Sequence, residues 1–396
     1  MNVRFSIPAF KRKFGGLVVR LNSLAIVLKS YPNPLKARKA IRLLREKRDS
    51  FTGTPGTAKF FYANNRFFFN PNVPGCPSLS YNKFITNELN NLLSIKDVHS
   101  RLTTSIFSVT RKCPLRCRHC FEWERLDDSE SLSIDNLKLI LKKLQGYGVS
   151  QIQIGGGEPM VRFRDLITLI ECAEKGTDFW LLTSGYNLSY EKALQLKKAG
   201  LTGVRISLDH WDPGKHNDFR GNQKAFAWAT DAARNSRKAG LAMGLAVCLL
   251  KENLSEDFLH SYLQFAKSLK ASFIMLLEPR ETGHFKDEDV RLTEKSMKFL
   301  DGFYLKVNSE PEFEKYPAVV FPGYHQRRIG CFGAGIRYFY IDSEGSAHAC
   351  PFCQEKMGNC LEEDLKDIIS RIRQRGCFIY STPKPANIFE RSLSVR

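Results

Sequence analysis

The run Cys113-Pro-Leu-Arg-Cys117-Arg-His-Cys120 places three thiols on one short loop. Soft sulfur ligands select iron–sulfur clusters, zinc or copper(I) over hard cations. A [4Fe–4S] cluster held only by these residues would keep one iron without a protein ligand, and that iron would be open to chemistry. A zinc site with His119 as its fourth ligand is the alternative. The triplet by itself favours iron–sulfur and leaves both sites open.

The length and composition predict a large α/β protein in a reducing compartment. The chain has 396 residues, of which 43% are hydrophobic, and this is enough for one large domain with appendages. It is too long for a disulfide miniprotein, and grouped free thiols among its eleven cysteines are typical of the cytosol, so a cytoplasmic location is expected. The isolated Cys76, Cys172 and Cys248 are expected to be buried apolar thiols.

Positive charge is concentrated at the amino end. The chain carries a net charge of +19, and residues 1–50 hold thirteen Lys or Arg against only Glu46 and Asp49. Residues 14–28 are apolar, but they are too short and too often interrupted by polar residues to span a bilayer. They also lack the cleavage site of a signal peptide.

Residues 1–50 are predicted to form a basic amphipathic arm. Its first helix carries a face formed by Leu17, Leu21, Leu24 and Leu28, and a second basic stretch covers 36–48. Packing of this arm on its own domain is the first interpretation. An anionic membrane surface or an acidic partner is the second, which would add a peripheral membrane location, and nucleic acid is less favoured.

The loop of three cysteines follows a predicted strand in a chain that alternates strands and helices. Strands are predicted at 106–110, 151–154, 179–182, 204–208, 243–249 and 273–277. Helices are predicted from the N-cap Ser133 to Gly146 and at 165–174, 190–200, 223–239, 256–270 and 294–307. Right-handed crossovers would assemble these six βα units into a parallel sheet. The polar residues that suggest chemistry follow the carboxyl ends of the strands, where α/β barrels build their active sites.

These features together resemble the radical SAM superfamily, whose enzymes use S-adenosylmethionine (SAM) on a [4Fe–4S] cluster. The family signature has three cysteines separated by three and then two residues, usually with an aromatic residue before the last cysteine. Cys113, Cys117 and Cys120 fit this spacing, with His119 at the aromatic position and Phe121 after it. The resemblance covers roughly residues 104–278 and implies a partial (β/α)6 TIM-like barrel.

The resemblance also implies a cofactor-binding set. The run Gly156-Gly157-Glu158-Pro159 matches the second family motif, which contacts the methionine amino group of SAM. Glycines allow close approach of the backbone, and a carboxylate matches an ammonium group. His119 is then interpreted as packing beside the adenine rather than as a zinc ligand. The other expected cofactor contacts are Phe121, Ser184, Ser207 and Asp209, although a simple strand-end turn is the alternative for the last two.

A second group of cysteines lies near the carboxyl end. Cys331 precedes a predicted β-hairpin with its turn at 342–345, and Cys350 and Cys353 follow it. This arrangement resembles the SPASM or twitch extension of radical SAM enzymes, in which a cysteine follows the hairpin glycine at the spacing of Gly345 and Cys350. The seven-cysteine order of the longer SPASM form is not reproduced.

The resemblance implies a probable second [4Fe–4S] cluster on the auxiliary cysteines. Cys331, Cys350 and Cys353 are its expected ligands, with Cys377 or Cys360 as the fourth ligand or with an open iron facing the substrate. Zinc on the same cysteines is the alternative, since Cys-x-x-Cys pairs suit zinc equally well.

Four regions are therefore expected: an arm at 1–50, an aromatic-rich segment at 51–100, a radical SAM core at 101–310 and an auxiliary-cluster domain at 311–396. The fold class is α/β, a partial (β/α)6 barrel with a small hairpin/helix domain after it and a basic extension before it. A hairpin turn is predicted at Asn64-Asn65 of the aromatic segment, which is interpreted first as a cap and second as a substrate-recognition strand.

The leading functional hypothesis is a radical SAM enzyme with an auxiliary cluster. The resemblance implies that the cluster reductively cleaves SAM to a 5′-deoxyadenosyl radical, which abstracts hydrogen from an unidentified peptide, protein or lipid-like small molecule. An electron donor such as flavodoxin or ferredoxin is the implied partner. The alternatives are an RNA-modifying radical SAM enzyme with salt-sensitive RNA binding and a zinc-stabilised binding protein without catalysis.

Overall fold

Eleven strands and twelve helices occur in the part of the chain that the structure describes. This computed structural model describes residues 9–52, 59–96, 102–126, 129–377 and 379–380. The strands are β1 Phe61–Ala63, β2 Arg66–Phe68, β3 Thr104–Ser108, β4 Gln151–Gly155, β5 Asp178–Thr183, β6 Leu201–Ser207, β7 Ala242–Cys248, β8 Phe273–Leu277, β9 Ala318–Val320, β10 Tyr338–Ile341 and β11 Ala347–His348. The helices are α1 Ala9–Ser30, α2 Pro34–Thr52, α3 Leu79–Leu92, α4 Ile134–Gly146, α5 Phe163–Glu171, α6 Tyr190–Ala199, α7 Pro213–Arg220, α8 Ala225–Lys238, α9 Glu256–Ser268, α10 Glu294–Ser309, α11 Pro322–Ile329 and α12 Leu365–Arg375.

Nine of the described strands form one sheet, in the order β11-β10-β3-β4-β5-β6-β7-β8-β9. All neighbours from β10 to β9 pair in parallel, and β10 and β11 pair antiparallel. The six predicted strands correspond to β3 to β8, with ends shifted by up to three residues. The predicted α/β fold with a partial TIM-like barrel is confirmed.

The predicted hairpin at 342–345 joins the barrel sheet. It is formed by β10 and β11, and β10 lies parallel to β3 with Tyr338 opposite Thr104. Because Ile341 lies opposite Phe107 near the end of β3, this pairing brings the hairpin turn beside the segment that leads to Cys113, where Arg111 donates to the hydroxyl of Ser343 at 3.2 Å.

Helix positions follow local signals where these signals are strong. Ser133 caps α4 through a capping box with Asn136, as the sequence predicts. Gly200 ends α6 in a conformation with φ +123° that favours glycine. Four elements are not predicted from the sequence: α3, α7, β9 and α11. Helix α3 lies in the aromatic-rich segment, where only a hairpin was expected, and the other three are too brief or too polar to show an apolar period.

The hairpin of β1 and β2 closes the amino end of the barrel interior. Its turn lies at Asn64 and Asn65, both with positive φ, which confirms the predicted turn. Phe61 and Phe68 stack with ring centroids 5.0 Å apart, and both pack with Trp180 among the inward-facing residues of the barrel strands. The polar side of the hairpin is held at the start of β5, where Arg66 pairs with Asp178 at 2.7 Å.

Helices α1, α2 and α3 form a small cluster with its own apolar core. Val27 of α1, Tyr31 directly after it and Tyr81 of α3 are buried there. The predicted leucine face of α1 is not part of this core: Leu17, Leu21, Leu24 and Leu28 are all exposed. The first interpretation, packing of the arm on its own domain, is therefore confirmed for α1, but the packed face is opposite to the leucine face.

Candidate active site

The first cysteine loop is held by hydrogen bonds from two other segments. On one side, the amides of Arg116 and Arg118 donate to the carbonyls of Arg220 and Phe219, each at 3.0 Å. On the other side, the amide of His284 donates to the carbonyl of Cys120 at 2.9 Å. The loop is thereby fixed between the end of α7 and the segment around His284.

The three thiols of this loop lie together. Cys113, Cys117 and Cys120 pack in one small cluster with the buried side chains of Leu115 and Ala225. Burial raises the pKa of all three thiols, in the case of Cys120 to about 12. They are therefore protonated in the protein alone, and they must lose protons when they bind a metal cluster.

The glycine-rich run lies directly against the cysteine loop. The amide of Gly157 donates to the carbonyl of Thr110 at 2.8 Å, and the amide of Glu158 donates to that of Lys112 at 2.8 Å. A Cβ atom on Gly156 would stand 2.6 Å from the carbonyl oxygen of Thr110, so only glycine fits at this contact. The two predicted motifs thus meet at the carboxyl ends of β3 and β4.

The carboxylate of Glu158 is occupied by neighbouring protein groups. Its Oε1 accepts hydrogen bonds from the hydroxyl of Thr183 at 2.7 Å and the amide of Met160 at 3.0 Å. Its Oε2 accepts from the amide and the hydroxyl of Ser184 at 2.8 and 2.5 Å. The side chain therefore joins the ends of β4 and β5, and the backbone around Gly156 remains the surface that faces the cysteine loop.

An ion pair missed by the sequence reasoning links Asp209 to the cysteine loop. Arg220 donates from Nε and Nη2 to Oδ2 of Asp209 at 2.6 and 2.5 Å, and its Nη1 lies 3.7 Å from Sγ of Cys117. The amide of Cys248 donates to the other Asp209 oxygen at 3.0 Å. Burial would raise the pKa of Asp209, but the charge of Arg220, the Cys248 amide and other nearby groups together outweigh it, and the pKa is lowered. Asp209 is therefore ionised and fixed beside the thiols.

His119 and Phe121 point to different neighbours. The ring of His119 stacks on Phe219 with centroids 4.8 Å apart, and its buried Nδ1 has no hydrogen-bond partner among the described residues. Burial, with the nearby charge of Arg220, lowers the pKa of His119 to about 3, so the ring is neutral. Phe121 lies instead in edge contact with Tyr340 and Phe352, on the side of the second cysteine group.

The remaining predicted cofactor contacts also lie at this edge. Pro159 is buried and begins a short 3-10 helix after β4, and Ser207 is the last residue of β6. Ser184 follows β5 and Asp209 follows β6 by two residues. Pro159, Ser184, Ser207 and Asp209 thus lie at the ends of β4, β5 and β6, on the edge of the sheet where β3 leads into the cysteine loop.

The second cysteine group also comes together. Sγ of Cys350 lies 3.4 Å from Sγ of Cys353, and the thiol of Cys331 hydrogen-bonds to Cys377. The hydrogen bond from Cys331 lowers the pKa of Cys377 to about 5, and that from Cys350 lowers the pKa of Cys353 to about 7. Cys360 lies elsewhere, fully buried in the main core. The arrangement thus brings Cys377 rather than Cys360 to the other auxiliary thiols.

The two cysteine groups are better suited to bind iron–sulfur clusters than to bind single metal ions. Among the described residues, no group of three or more His, Cys, Asp or Glu side chains is arranged to hold a single metal ion. Both cysteine groups nevertheless gather their thiols at the surface of a cavity or against a glycine run, and thiolates are the usual ligands of iron–sulfur clusters. Of the isolated cysteines, Cys76 and Cys248 are buried as predicted, but Cys172 is exposed at the end of α5, which corrects that prediction.

A cavity of about 480 Å³ separates the two cysteine groups. Its lining includes the auxiliary cysteines 331, 350, 353 and 377, together with Phe121 and Gly283. Phe121 directly follows Cys120, and the amide beside Gly283 is bonded to Cys120. The cavity therefore extends from the auxiliary thiols to the edge of the first cysteine loop.

The barrel interior carries one cation without a carboxylate partner among the described residues. Arg205 lies two residues before Ser207 on β6, so both side chains share the inner face. Its Nη1 lies 3.1 Å from Sδ of Met275. Burial lowers the pKa of Arg205 to about 10, which still leaves it charged at neutral pH.

Comparison with known proteins agrees with this geometry. Residues 107–262 match the family model described as the radical SAM superfamily. The chain is 31% identical over 193 residues to Fe-coproporphyrin III synthase of Methanosarcina barkeri, an alignment that covers 48% of each protein. It is 25% identical over 312 residues to a probable GTP 3′,8-cyclase of Pyrococcus abyssi, covering 74% of this chain and 95% of the cyclase. The chain thus spans about half the length of the synthase, and its similarity to the cyclase is longer but lower.

The fold has a counterpart among solved structures. SuiB of Streptococcus suis bound to the precursor peptide SuiA matches with a TM-score of 0.59 and 16% identity, over 91% of this chain and 84% of SuiB. An α/β barrel with three thiols against a glycine-rich turn agrees with the family match. The chain carries a radical SAM domain over residues 107–262. A [4Fe–4S] cluster and SAM are the cofactors of this superfamily.

Proposed function

We propose that this protein is a radical SAM enzyme whose first cluster is held by Cys113, Cys117 and Cys120. The observation that carries the proposal is the contact between the cysteine loop and the glycine-rich run. In this contact the amide of Gly157 donates a hydrogen bond to the carbonyl of Thr110 at 2.8 Å. When bound, the cluster and SAM supply a radical that removes a hydrogen atom from the substrate. Residues of this chain would position these groups: the backbone at Gly156 would contact the methionine amino group, and Asp209 with Arg220 would hold the polar end of the cofactor.

The auxiliary thiols are proposed to hold a second cluster. Cys331, Cys350, Cys353 and Cys377 supply four ligands, and the cavity beside them is the proposed substrate chamber. Zinc on these thiols is an outcome of the test rather than part of the proposal. The electron donor is proposed to be a small redox protein such as flavodoxin or ferredoxin.

The proposed substrate is a peptide or a lipid-like small molecule with an anionic group. SuiB, whose fold is similar, was solved with a precursor peptide, and this supports the peptide. The anionic group follows from Arg205, because a desolvated guanidinium without a carboxylate gains most from a negatively charged ligand.

Two peptide libraries test the anionic group, one rich in Asp and Glu and one with Asn and Gln in their place. The acidic library should stimulate 5′-deoxyadenosine formation more than the neutral one, and Arg205→Met should remove this difference. Equal stimulation by both libraries would contradict the anionic group.

The central experiment is anaerobic reconstitution followed by incubation with SAM and dithionite. 5′-Deoxyadenosine should form with the natural protein and should be abolished in Cys117→Ala, because one thiolate of the cluster site is lost. Cys172→Ala is the matched control, since that cysteine is exposed and outside both groups. Zinc without iron or sulfide in the natural protein would overturn the proposal.

Metal analysis of Cys350→Ala tests the second cluster separately. This variant should lose iron and sulfide equivalent to about one cluster while it keeps SAM cleavage, because its first cysteine loop is intact. An iron content equal to that of the natural protein would retire the auxiliary cluster and leave the first cluster untouched.

A further inference from the structure

Helix α1 presents a continuous apolar stripe to solvent. The stripe, called the leucine face below, consists of Phe14, Leu17, Leu21, Leu24 and Leu28. The alternating spacing of three and four residues keeps these side chains on one side of the helix. Each of them is between 40% and 57% exposed, and Leu35, at the start of α2, is 75% exposed. Single exposed leucines are common, but five in a row on one helix mark an interaction surface.

The helix is fixed in this orientation by its other side. Val27 and Tyr31 are buried against α3, and the hydroxyls of Ser23 and Tyr81 lie 3.1 Å apart. A Cβ atom on Gly15 would stand 2.7 Å from the ring of Phe67, so the helix backbone sits directly on β2. Rolling α1 to bury the leucine face would break all of these contacts. The exposure is therefore a property of the packed state.

The charges around the leucine face have one sign. Helix α1 contains no Asp or Glu. At 100° per residue, Arg20 and Lys29 fall on opposite flanks of the stripe. The neighbouring helix α2 adds exposed basic residues in its first two turns, namely Lys36, Arg38 and Lys39. A partner must therefore be apolar in the middle and negatively charged on both sides.

We propose that the leucine face docks on the surface of an anionic lipid bilayer. A helix that lies in the membrane interface buries its apolar side among the acyl chains near the headgroups, while flanking Lys and Arg contact lipid phosphates. No helix in the described part of the chain has the length and apolarity that a membrane span requires. This inference does not depend on the proposed catalytic function.

A second copy of the chain fits the same face less well. The spacing resembles the seam of a coiled coil, which could pair with another α1. Such a pair would set Arg20 beside a second helix that also contains no Asp or Glu, so this charge would have no opposite charge to meet there. Charge complementarity therefore favours the anionic bilayer, and self-association becomes an outcome of the test.

Vesicle flotation with the full-length reconstituted protein tests the proposal. The probes are vesicles of phosphatidylcholine alone and of phosphatidylcholine mixed with phosphatidylglycerol. Binding should occur on the mixed vesicles and should weaken at high salt, because screening acts on the flanking charges. The double variant Leu21→Glu and Leu24→Glu should bind at least about tenfold more weakly, since two apolar contacts become buried charges. The matched control is Leu139→Glu, on the exposed side of α4, which should bind normally.

Insertion is measured with Leu21→Trp, whose fluorescence should shift to the blue on mixed vesicles while that of Leu139→Trp does not. Equal binding to neutral and anionic vesicles would overturn the proposal, as would unchanged binding of the double variant. A dimer in light scattering that the double variant abolishes, without vesicle binding by the natural protein, would assign the face to a second copy. Salt-sensitive RNA binding without vesicle binding would likewise overturn it.

Discussion

Gly157 has no room for a methyl group. A Cβ atom there would lie 2.5 Å from the carbonyl oxygen of Lys112 and 2.8 Å from that of Arg111. Both oxygens belong to the backbone that leads into Cys113. A methyl group at position 157 would therefore push the cysteine loop out of its place. The close approach of two backbone segments is thus what this glycine provides.

We expect Gly157→Ala to displace the cysteine loop. The variant should bind SAM about tenfold more weakly, equivalent to about 1.4 kcal/mol, and should retain less iron after reconstitution. Equilibrium dialysis with SAM and iron analysis measure this. The matched control is Gly155→Ala, where the nearest atom to the new methyl group would be Leu182 Cβ at an ordinary 3.7 Å. Equal behaviour of the two variants would show that the contact does not position the loop.

At the residue scale, the motifs could be predicted from the sequence, but the residues that hold the motif side chains in place could not. The spacing of the cysteines and the Gly-Gly-Glu-Pro run identified residues that the structure brings together. Arg220 was missed because it follows Asp209 by eleven residues within a polar segment, and no local pattern ties an arginine to a distant carboxylate. The one available signal was the Asp212-Pro213 pair, which begins the helix that Arg220 ends.

The hairpin of β1 and β2 acts as a plug for the barrel. Each of its strands spans only three residues, and an isolated hairpin of this size is unstable in water. Phe61 and Phe68 stabilise it by entering the barrel interior, where Phe61 also lies 5.4 Å from the ring of Phe273. The barrel core and the hairpin are therefore expected to unfold together.

Removal of the Phe68 ring tests this coupling. Phe68→Ala should lower the free energy of unfolding by about 3–5 kcal/mol, because the ring is fully buried and leaves a cavity. Denaturant unfolding followed by Trp180 fluorescence measures it, since the two rings lie 6.1 Å apart. The control is Phe299→Ala on α10, a partly exposed ring that should cost less than about 1 kcal/mol. Similar losses of unfolding free energy in both variants would show that the hairpin does not stabilise the barrel interior.

At the scale of elements, helices and strands with a clear apolar period could be predicted, but the pairing of strands distant in sequence could not. The six strand–helix units follow from alternating apolar runs and from caps such as Ser133. Strand β9 has three residues and helix α11 has eight, so neither shows a period of its own. The parallel pairing of β10 with β3 joins residues more than two hundred positions apart. Only the folded sheet reveals it, because nothing local in the sequence specifies the partner strand.

Three parts of the chain meet at one buried carboxylate. Glu88 of α3 pairs with Lys47 of α2 at 2.9 Å and with Arg337, just before β10, at 2.9 Å. Phe51 of α2 also stacks on His325 of α11 with ring centroids 4.1 Å apart. The amino-terminal helices are thereby joined to the segment that leads to the auxiliary cysteines.

Glu88→Gln should weaken this junction in a pH-dependent way. Burial would raise the pKa of Glu88, but Arg337 and Lys47 outweigh it and the pKa is lowered. A carboxyl with a lowered pKa stabilises the fold above its unfolded pKa of roughly 4.3 and loses this contribution as the pH falls further. At neutral pH the variant should therefore lose about 3 kcal/mol, because two partly buried cations lose their partner. The loss should shrink below about pH 4.

Urea unfolding between neutral pH and about pH 4 measures this loss of stability. The control is Glu46→Gln, whose exposed pair with Arg42 should contribute less than about 1 kcal/mol. A loss that did not change with pH would mean that packing of the side chain, rather than its charge, joins the amino-terminal helices to the barrel.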